Sequence, residues 1–288
     1  MKITAKEFQL LKSAPNSAYT AIMPEFLYHS NKLEGSTFSE DELIRLAFDG
    51  KVQGDHSIDD VMETRNSIDV FGYVIDTLGQ PTSEEFLIAL NEMLFRGTTK
   101  EAAGWTGHYK ELANRIGGSS VQVALPSDIP TAIPELLAAY PDGSSSFEDI
   151  ADFHVRFEHL HPFQDGNGRI GRFLMFKQCI ESGVDLIVID DGNNDPYKAW
   201  LELAQTTGDK RFFYDLLHQC QTRFDAKMDA LGVTRLIDDL HKSGQRPERQ
   251  RLGELQGEMT KASEQLNADA QRSHDHRSGH DAPDDDDR

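Results

Sequence analysis

The sequence has 288 residues, of which 38% are hydrophobic, so it is long enough to bury at least one substantial core. Its formal net charge of −20 argues against nucleic acid and anionic membranes as partners, because an acidic surface repels both. Cys179 and Cys220 have no CxxC neighbour and are expected to be buried thiols. No apolar run approaches a membrane span or a signal peptide, and we expect a soluble, cytoplasmic protein.

Helical periodicity dominates the chain up to about residue 231. Helices are predicted over residues 21–35, 37–48, 57–78, 82–95, 133–140, 147–160, 169–183, 195–205 and 210–231. Thr82 and Glu85 have capping-box spacing, Pro134 suits a first helical turn, and Gly183 suits a C-cap. Ser39 and Glu42 form a second capping box.

One segment departs from this helical pattern. Residues 111–126, ELANRIGGSSVQVALP, alternate polar and apolar side chains on both sides of a Gly-Gly-Ser-Ser turn. This alternation predicts a β-hairpin, so the expected fold class is an all-α core with one hairpin. After about residue 244 the composition becomes charged and poor in core-forming residues, which predicts a tail that is partly helical or disordered.

The segment HLHPFQDGNGRIGR, at residues 159–172, concentrates charged residues and glycines between two helical stretches. Glycines let a backbone approach a ligand, and the N-terminus of the following helix offers free N–H groups and the positive end of the helix dipole. Arg169 and Arg172 are three residues apart and can project from one helical face towards phosphate oxygens. The segment predicts a phosphate site, although GxxxxGK[ST] is absent and it is not a P-loop.

The same segment holds other chemical groups. Asp165 at the mouth of the phosphate site is best explained as a ligand of Mg²⁺, and the Asn167 amide can orient a phosphate or cap the helix. His161 can take a proton from an attacking hydroxyl. His154 and His159 are assigned to packing, since their spacing with His161 does not converge on a zinc site. A base, a metal ligand and a phosphate cradle together suit phosphoryl or nucleotidyl transfer.

HPFQDGNGRIGR resembles HPFx[D/E]GNGRxxR, the signature of the Fic (filamentation induced by cAMP) family, with every fixed position present. The resemblance extends to FHVRFEHLHPF and to TGHYKELANRIGG, where Lys110 stands in place of the usual arginine, and covers roughly residues 24–231. It implies a Fic-type helical core with one β-hairpin flap at residues 112–123, which would hold a target peptide by strand addition.

The resemblance also implies an activity, AMP transfer from Mg·ATP to a Ser, Thr or Tyr hydroxyl of a target protein or of the protein itself. His161 would be the base and Asp165 would hold Mg²⁺. Gly168 favours AMP transfer, because phosphate-transferring relatives carry lysine there. Tyr197 would stack on adenine, although a packed helix tyrosine explains it equally well. The implied phosphate- and ATP-binding residues are Gly166, Asn167, Gly168, Arg169, Arg172 and Tyr197.

A distant stretch, SNKLEG at residues 30–35, matches the inhibitory motif [S/T]xxxE[G/N] of the branch with an N-terminal inhibitory helix. Glu34 would pair with Arg172 and deny it to the γ-phosphate, and Ser30, one turn earlier, would steady it. The alternative for both residues is a solvated helix end.

The expected organisation is an N-terminal region with the inhibitory helix at 1–55, a Fic core at 56–243 and the charged tail at 244–288. The predicted function is an autoinhibited protein adenylyltransferase that acts with ATP, Mg²⁺ and a protein target. The oligomeric state is left open between a monomer and a homodimer, the arrangement that relatives often adopt. A de-AMPylase that uses Glu34 on the same site is one alternative. A catalytically quiet protein-interaction module is the other.

Overall fold

The computed structural model describes residues 1–242, apart from the side chain of residue 242. In this part of the chain the secondary structure is helical, with a short 3-10 turn at Asp191–Asn193 and no β-strand. The helices are α1 (Ala5–Leu11), α2 (Ala18–Leu33), α3 (Glu40–Asp49), α4 (Ile58–Asp76), α5 (Glu84–Leu94), α6 (Thr99–Ala102), α7 (Ile129–Ala139), α8 (Phe147–Leu160), α9 (Asn167–Ser182), α10 (Asn194–Thr207), α11 (Arg211–Ala230) and α12 (Val233–Lys242).

Every segment predicted to be helical contains a helix, whereas α1, α6 and α12 were not predicted. The capping box of Ser39 and Glu42 and the C-cap at Gly183 are confirmed. The predicted N-terminal starts of two helices, α5 and α7, were wrong. Ser83 caps α5, because the Thr82 hydroxyl and N–H both bond to Asp142. Pro134 lies inside α7, which starts one turn earlier.

The predicted β-hairpin flap is wrong, because residues 112–123 contain no strand. They do turn at residues 117–118, where the Ser119 N–H donates to the Ile116 carbonyl at 3.2 Å, but no strands pair on either side of the turn. The hydroxyls of Ser119 and Ser120 donate hydrogen bonds to the Glu202 carboxylate on α10. The Ala124 N–H donates to the His159 carbonyl at the end of α8, at 3.3 Å. These bonds to the helices take the place of hydrogen bonds between two paired strands. An isolated two-stranded hairpin is only marginally stable in water, so contacts with the helices can replace it.

The inhibitory-motif helix α2 packs into the same core as the signature helix α9. The Phe26 ring on α2 lies 4.7 Å from Phe176 and 5.1 Å from Phe173, both on α9, and 5.7 Å from Phe71 on α4. All four rings are buried, so Phe26 anchors the middle of α2 against α9 and α4. The proposed division at residue 55 therefore cuts across one continuous core and stays a prediction.

Both cysteines are free and buried, as predicted. None of the helices described here has the length and apolar character needed to cross a membrane. The charged tail predicted for residues 244–288 lies outside the described residues.

Candidate active site

The glycine segment places an open helix N-terminus at the centre of the site. Gly166 is the N-cap of α9, has a φ of 83°, and leaves the first turn without a side-chain cap. A Cβ at this position would lie 2.7 Å from the Phe95 ring, so glycine is needed for both backbone conformation and space. The uncapped N–H groups and the helix dipole attract an anion.

That anion is supplied by the chain itself, through Glu34 at the C-terminal end of α2. Glu34 Oε1 lies 2.7 Å from Arg172 Nη2. Ser30 adds two bonds to the same guanidinium, with Arg172 Nε donating to Ser30 Oγ and Nη2 donating to the Ser30 carbonyl, both at 2.9 Å. A Cβ on Gly168 would overlap Glu34 Oε1, so the carboxylate lies directly against the first turn of α9. The residues of the two motifs therefore meet in space.

Both members of this pair are charged at neutral pH. Burial opposes ionisation of Glu34, but the charges of Arg172 and Arg169 outweigh it and lower the pKa of the carboxyl below its ordinary value. Burial also opposes the charge on Arg172, and Glu34 more than compensates, so the pKa of the guanidinium is raised. Arg172 is 2% exposed, whereas the Glu34 side chain is 36% exposed. The glutamate is thus the partner that can leave.

A chain of alternating charges continues the site towards α4 and α6. Arg169 Nη1 lies 2.7 Å from Glu63 Oε2, and Glu63 Oε1 lies 2.8 Å from Lys100 Nζ. Lys100 Nζ in turn lies 2.7 Å from Asp165 Oδ2. Lys100 and Arg169 also sit over the Phe95 ring, at 4.7 and 5.1 Å from its centre. Neither Glu63 nor Lys100 was predicted as a site residue from the sequence.

Asp165 fits the role of a cation ligand. Burial raises its pKa, but the hydrogen bond and charge of Lys100 outweigh this, and the pKa of Asp165 is lowered overall. Its carboxylate is therefore ionised and already binds a cation, the Lys100 ammonium. No group of three or more His, Cys, Asp or Glu side chains within residues 1–242 could hold a metal ion by itself. Mg²⁺ commonly needs one or two carboxylates and takes its other ligands from phosphates and water, a set that this site can complete.

Asn167 stabilises the loop that precedes α9 through hydrogen bonds from both ends of its side-chain amide. Its Oδ1 accepts from the Phe163 N–H at 2.8 Å, and its Nδ2 donates to the Phe163 carbonyl at 2.9 Å. The residue is 1% exposed. This geometry favours a role of the side chain in shaping the loop, while the backbone N–H of Asn167 belongs to the open first turn of α9.

His161 ends α8 in the left-handed conformation, with a φ of 49°. Burial, followed by the charge of neighbouring Lys110, lowers the pKa of its imidazole to about 4. The ring is therefore neutral at pH 7, which is the form that accepts a proton.

Lys110 links the segment at residues 112–123 to the end of α8 by hydrogen bonds. Its Nζ donates to the Leu160 carbonyl at 3.2 Å and to Asn114 Oδ1 at 3.0 Å, and its backbone N–H donates to the Pro162 carbonyl at 2.8 Å. Burial lowers the pKa of this lysine to about 8. Lys110 thus positions the backbone on both sides of His161.

Tyr197 lies in the interior of α10 and not on an open surface. Its hydroxyl bonds to His154 Nε2 at 2.8 Å, and its ring packs beside His154 and Phe213. Burial raises the pKa of Tyr197 and lowers that of His154 to about 3. This placement favours the packed-tyrosine alternative, and the adenine-stacking role stays a prediction. It also agrees with the packing role predicted for His154.

Two cavities adjoin these residues. One of about 260 Å³ lies between the end of α2 and the start of α4, and Glu34, Lys100 and Arg169 are among its lining residues. Another, of about 450 Å³, lies between residues 116–119 and α10. The second is within the size range of small-molecule pockets.

Comparison with known proteins identifies relatives of the chain. The sequence profile of the Fic/DOC family matches residues 81–179, a range that includes the whole phosphate segment. Proteins named "Protein adenylyltransferase Fic" from Culex quinquefasciatus and Nematostella vectensis are each 26% identical to it, over 74% and 80% of this chain. These alignments cover 42% and 55% of the two relatives, so the chain spans about half the length of the curated relatives it matches.

Solved structures agree in fold. A Fic-domain signalling protein from Bacteroides thetaiotaomicron VPI-5482 superposes with a TM-score of 0.63 at 24% identity, over 75% of this chain and 90% of that one. Fic-1 from C. elegans superposes with a TM-score of 0.60 at 19% identity, over 78% and 70% of the two chains. The profile match shows a Fic/DOC family domain at residues 81–179 of this chain, and the curated relatives and the fold agree with it.

Proposed function

We propose that this protein is an autoinhibited adenylyltransferase that transfers AMP from Mg·ATP to a Ser, Thr or Tyr hydroxyl of a protein. The observation that carries the proposal is the Glu34 carboxylate, which lies against Gly168 and pairs with Arg172 at the open N-terminus of α9. A carboxylate and a phosphate are recognised by the same donors. Glu34 therefore acts as an internal substitute for a phosphate of ATP.

The residues around the Glu34 carboxylate have different roles in the transfer. The neutral imidazole of His161 takes the proton of the target hydroxyl. The hydroxyl oxygen forms a bond to the α-phosphorus, the bond from that phosphorus to the α–β bridging oxygen breaks, and pyrophosphate leaves. The N–H groups of α9 and the Arg169 guanidinium stabilise the charge that develops on the phosphate oxygens.

Asp165 would hold Mg²⁺ together with the phosphates of ATP. The metal supplies charge neutralisation at the phosphates when it is bound. Arg172 would meet the γ-phosphate once Glu34 has left. Because the same guanidinium serves both partners, ATP held while Glu34 is docked has its phosphates displaced from the alignment that in-line attack requires.

Transfer of label from ATP tests this proposal. Wild type, Glu34→Gly and the double variant Glu34→Gly/His161→Ala are incubated with Mg²⁺ and with ATP labelled at either the α- or the γ-phosphate. We expect α-label on protein with Glu34→Gly, at least tenfold more than with wild type, and none with the double variant. Glu92→Gln, which removes an exposed glutamate, is the matched control and should label like wild type.

Other outcomes point elsewhere. Transfer of γ-label would identify a kinase and contradict the interpretation of Gly168. If no variant labels itself or proteins of a lysate, release of AMP from a modified substrate tests the de-AMPylase alternative. Absence of both activities would favour the interaction module.

A further inference from the structure

A buried carboxylic acid that lies against Gly171, the residue before Arg172, has no role in the proposed transfer. Glu158 lies on α8, three residues before His161, and is 4% exposed. Its Oε1 has no hydrogen-bond partner among the described residues. Burial of a carboxyl group without a partner is unfavourable, so its position calls for an explanation.

Gly171, at a variable position of the signature, makes room for this group. A Cβ at Gly171 would overlap Glu158 Oε1 and would lie 3.1 Å from His154 Cε1. The glycine therefore lets α8 approach α9 closely and brings the Glu158 carboxyl against the backbone beside Arg172. Any side chain at this position would displace the carboxyl.

We infer that Glu158 is a positioning residue for Arg172, which becomes the carboxylate partner of the guanidinium when Glu34 leaves. Arg172 is almost completely buried, and a buried cation without an anion is strongly unfavourable. Ser30 offers it only neutral oxygens. Glu158 would keep the arginine charged and oriented during the interval before a phosphate replaces Glu34. This inference rests on the proposed function, in which Glu34 is released.

The charges around Glu158 support its replacement of Glu34 as the carboxylate partner of Arg172. Burial raises the pKa of its carboxyl to about 8, Arg172 on α9 opposes this rise, and Glu34 on α2 adds to it. The other titratable neighbours, Tyr197 on α10 and His154 on α8, are neutral at pH 7. With Glu34 docked, Glu158 is therefore mostly protonated at neutral pH.

Release of Glu34 leaves the attraction of Arg172 unopposed, and the pKa of Glu158 then falls. The docked state thus binds more protons than the released state between that lower pKa and about 8. Raising the pH through this window favours release, and each release is accompanied by loss of a proton from Glu158.

Titration of glutamate carboxyl groups by ¹³C NMR tests the inference without any need for catalysis. Glu158→Gln assigns the resonance by its disappearance. We expect a midpoint near pH 8 in wild type and a fall of at least one pH unit in Glu34→Gln, which is a tenfold change in the ionisation constant. Glu92→Gln removes an exposed carboxylate and should leave the midpoint unchanged. A wild-type midpoint near the ordinary glutamate value, or one that ignores Glu34→Gln, would overturn the inference.

The pH profile of AMP transfer gives a second measurement, which does not require that Glu158→Gln folds. Labelling by wild type should rise towards pH 8 more steeply than labelling by Glu34→Gly, which has no glutamate to release. Lys110 titrates in the same window but is present in both proteins, so it cancels in the comparison. Parallel profiles would contradict the inference and leave the proposed function intact. Absence of label in every variant would contradict the proposed function, and the NMR result would still decide the role of Glu158.

Discussion

Glu34 and Arg172 are 138 residues apart in the sequence and form an ion pair with 2.7 Å between Oε1 and Nη2. The pair joins the end of α2 to the first turns of α9, where the open N–H groups lie. In the proposed release, Phe26 would keep α2 packed on α9, and Glu34 would leave by rotation of its own side chain and the end of its helix.

Ser30→Ala tests how far the serine steadies this pair. The variant loses the bond from Arg172 Nε but keeps the carbonyl bond and Glu34. A hydrogen bond to a charged group contributes about 1.5–3 kcal/mol, so urea unfolding should show a loss in that range. Labelling should exceed wild type but stay below that of Glu34→Gly. Ser13→Ala, an exposed serine, is the control, and equal behaviour of the two variants would contradict the role of Ser30.

Gly168→Ala tests the contact between the glutamate and the helix. The added Cβ would overlap Glu34 Oε1 and would lie 3.0 Å from Arg172 Nη1. Overpacking of this kind costs about 1–3 kcal/mol of unfolding free energy. The cost should be smaller in a Glu34→Gly background, because the clashing atom is gone. Urea unfolding of the four proteins gives the coupling, and an equal cost in both backgrounds would show that Glu34 does not lie against Gly168.

The candidate residues of the phosphate segment could be chosen from the sequence, because they are close together in one segment. His161, Asp165 and the helix N-terminus at Gly166 follow from the chemistry of their side chains and from the helical pattern on either side. The meeting of Glu34 with Arg172 followed only from the family resemblance, since no local pattern reports a contact across 138 residues.

Other features could not be predicted because they depend on packing between elements. Glu63 and Lys100 come from α4 and α6, and in the sequence each looks like an ordinary solvated charge. The amide of Asn167 was expected to orient a phosphate or to cap the helix, but both of its ends bond to Phe163. Alternation at residues 112–123 suggested a hairpin, whereas Ser119 bonds to Glu202 on α10 and the Asn114 amide donates to the Phe163 carbonyl.

Lys100→Met tests whether the lysine competes with a divalent cation for Asp165. Its ammonium lies 2.7 Å from the carboxylate, so its removal should strengthen cation binding. An interaction between unit charges near a protein surface is worth on the order of 1–4 kcal/mol, and we expect at least about a threefold gain in affinity. Mn²⁺ binding in the presence of ADP, followed by electron paramagnetic resonance, measures this directly. Lys51→Met, at an exposed position, is the control, and unchanged or weaker binding by Lys100→Met would contradict the competition.

Two histidines with lowered pKa values, His154 and His161, predict how stability depends on pH. The pKa of His161 is lowered to about 4 and that of His154 to about 3, while both rise towards 6.5 in the unfolded chain. Between pH 6.5 and 4 the unfolded state therefore binds more protons than the folded state, and the free energy of unfolding falls as the pH is lowered. Each histidine contributes a slope of about 1.4 kcal/mol per pH unit in this window.

His161→Gln isolates one of these two contributions. The glutamine cannot take up a proton in either state, so urea unfolding of the variant between pH 6.5 and 4.5 should show a slope that is lower by about 1.4 kcal/mol per pH unit. Carboxylates that titrate in the same range are common to both proteins and cancel in the difference. Identical slopes for variant and wild type would mean that His161 protonates freely in the folded state, which would deny it the neutral form at mildly acidic pH that a base requires.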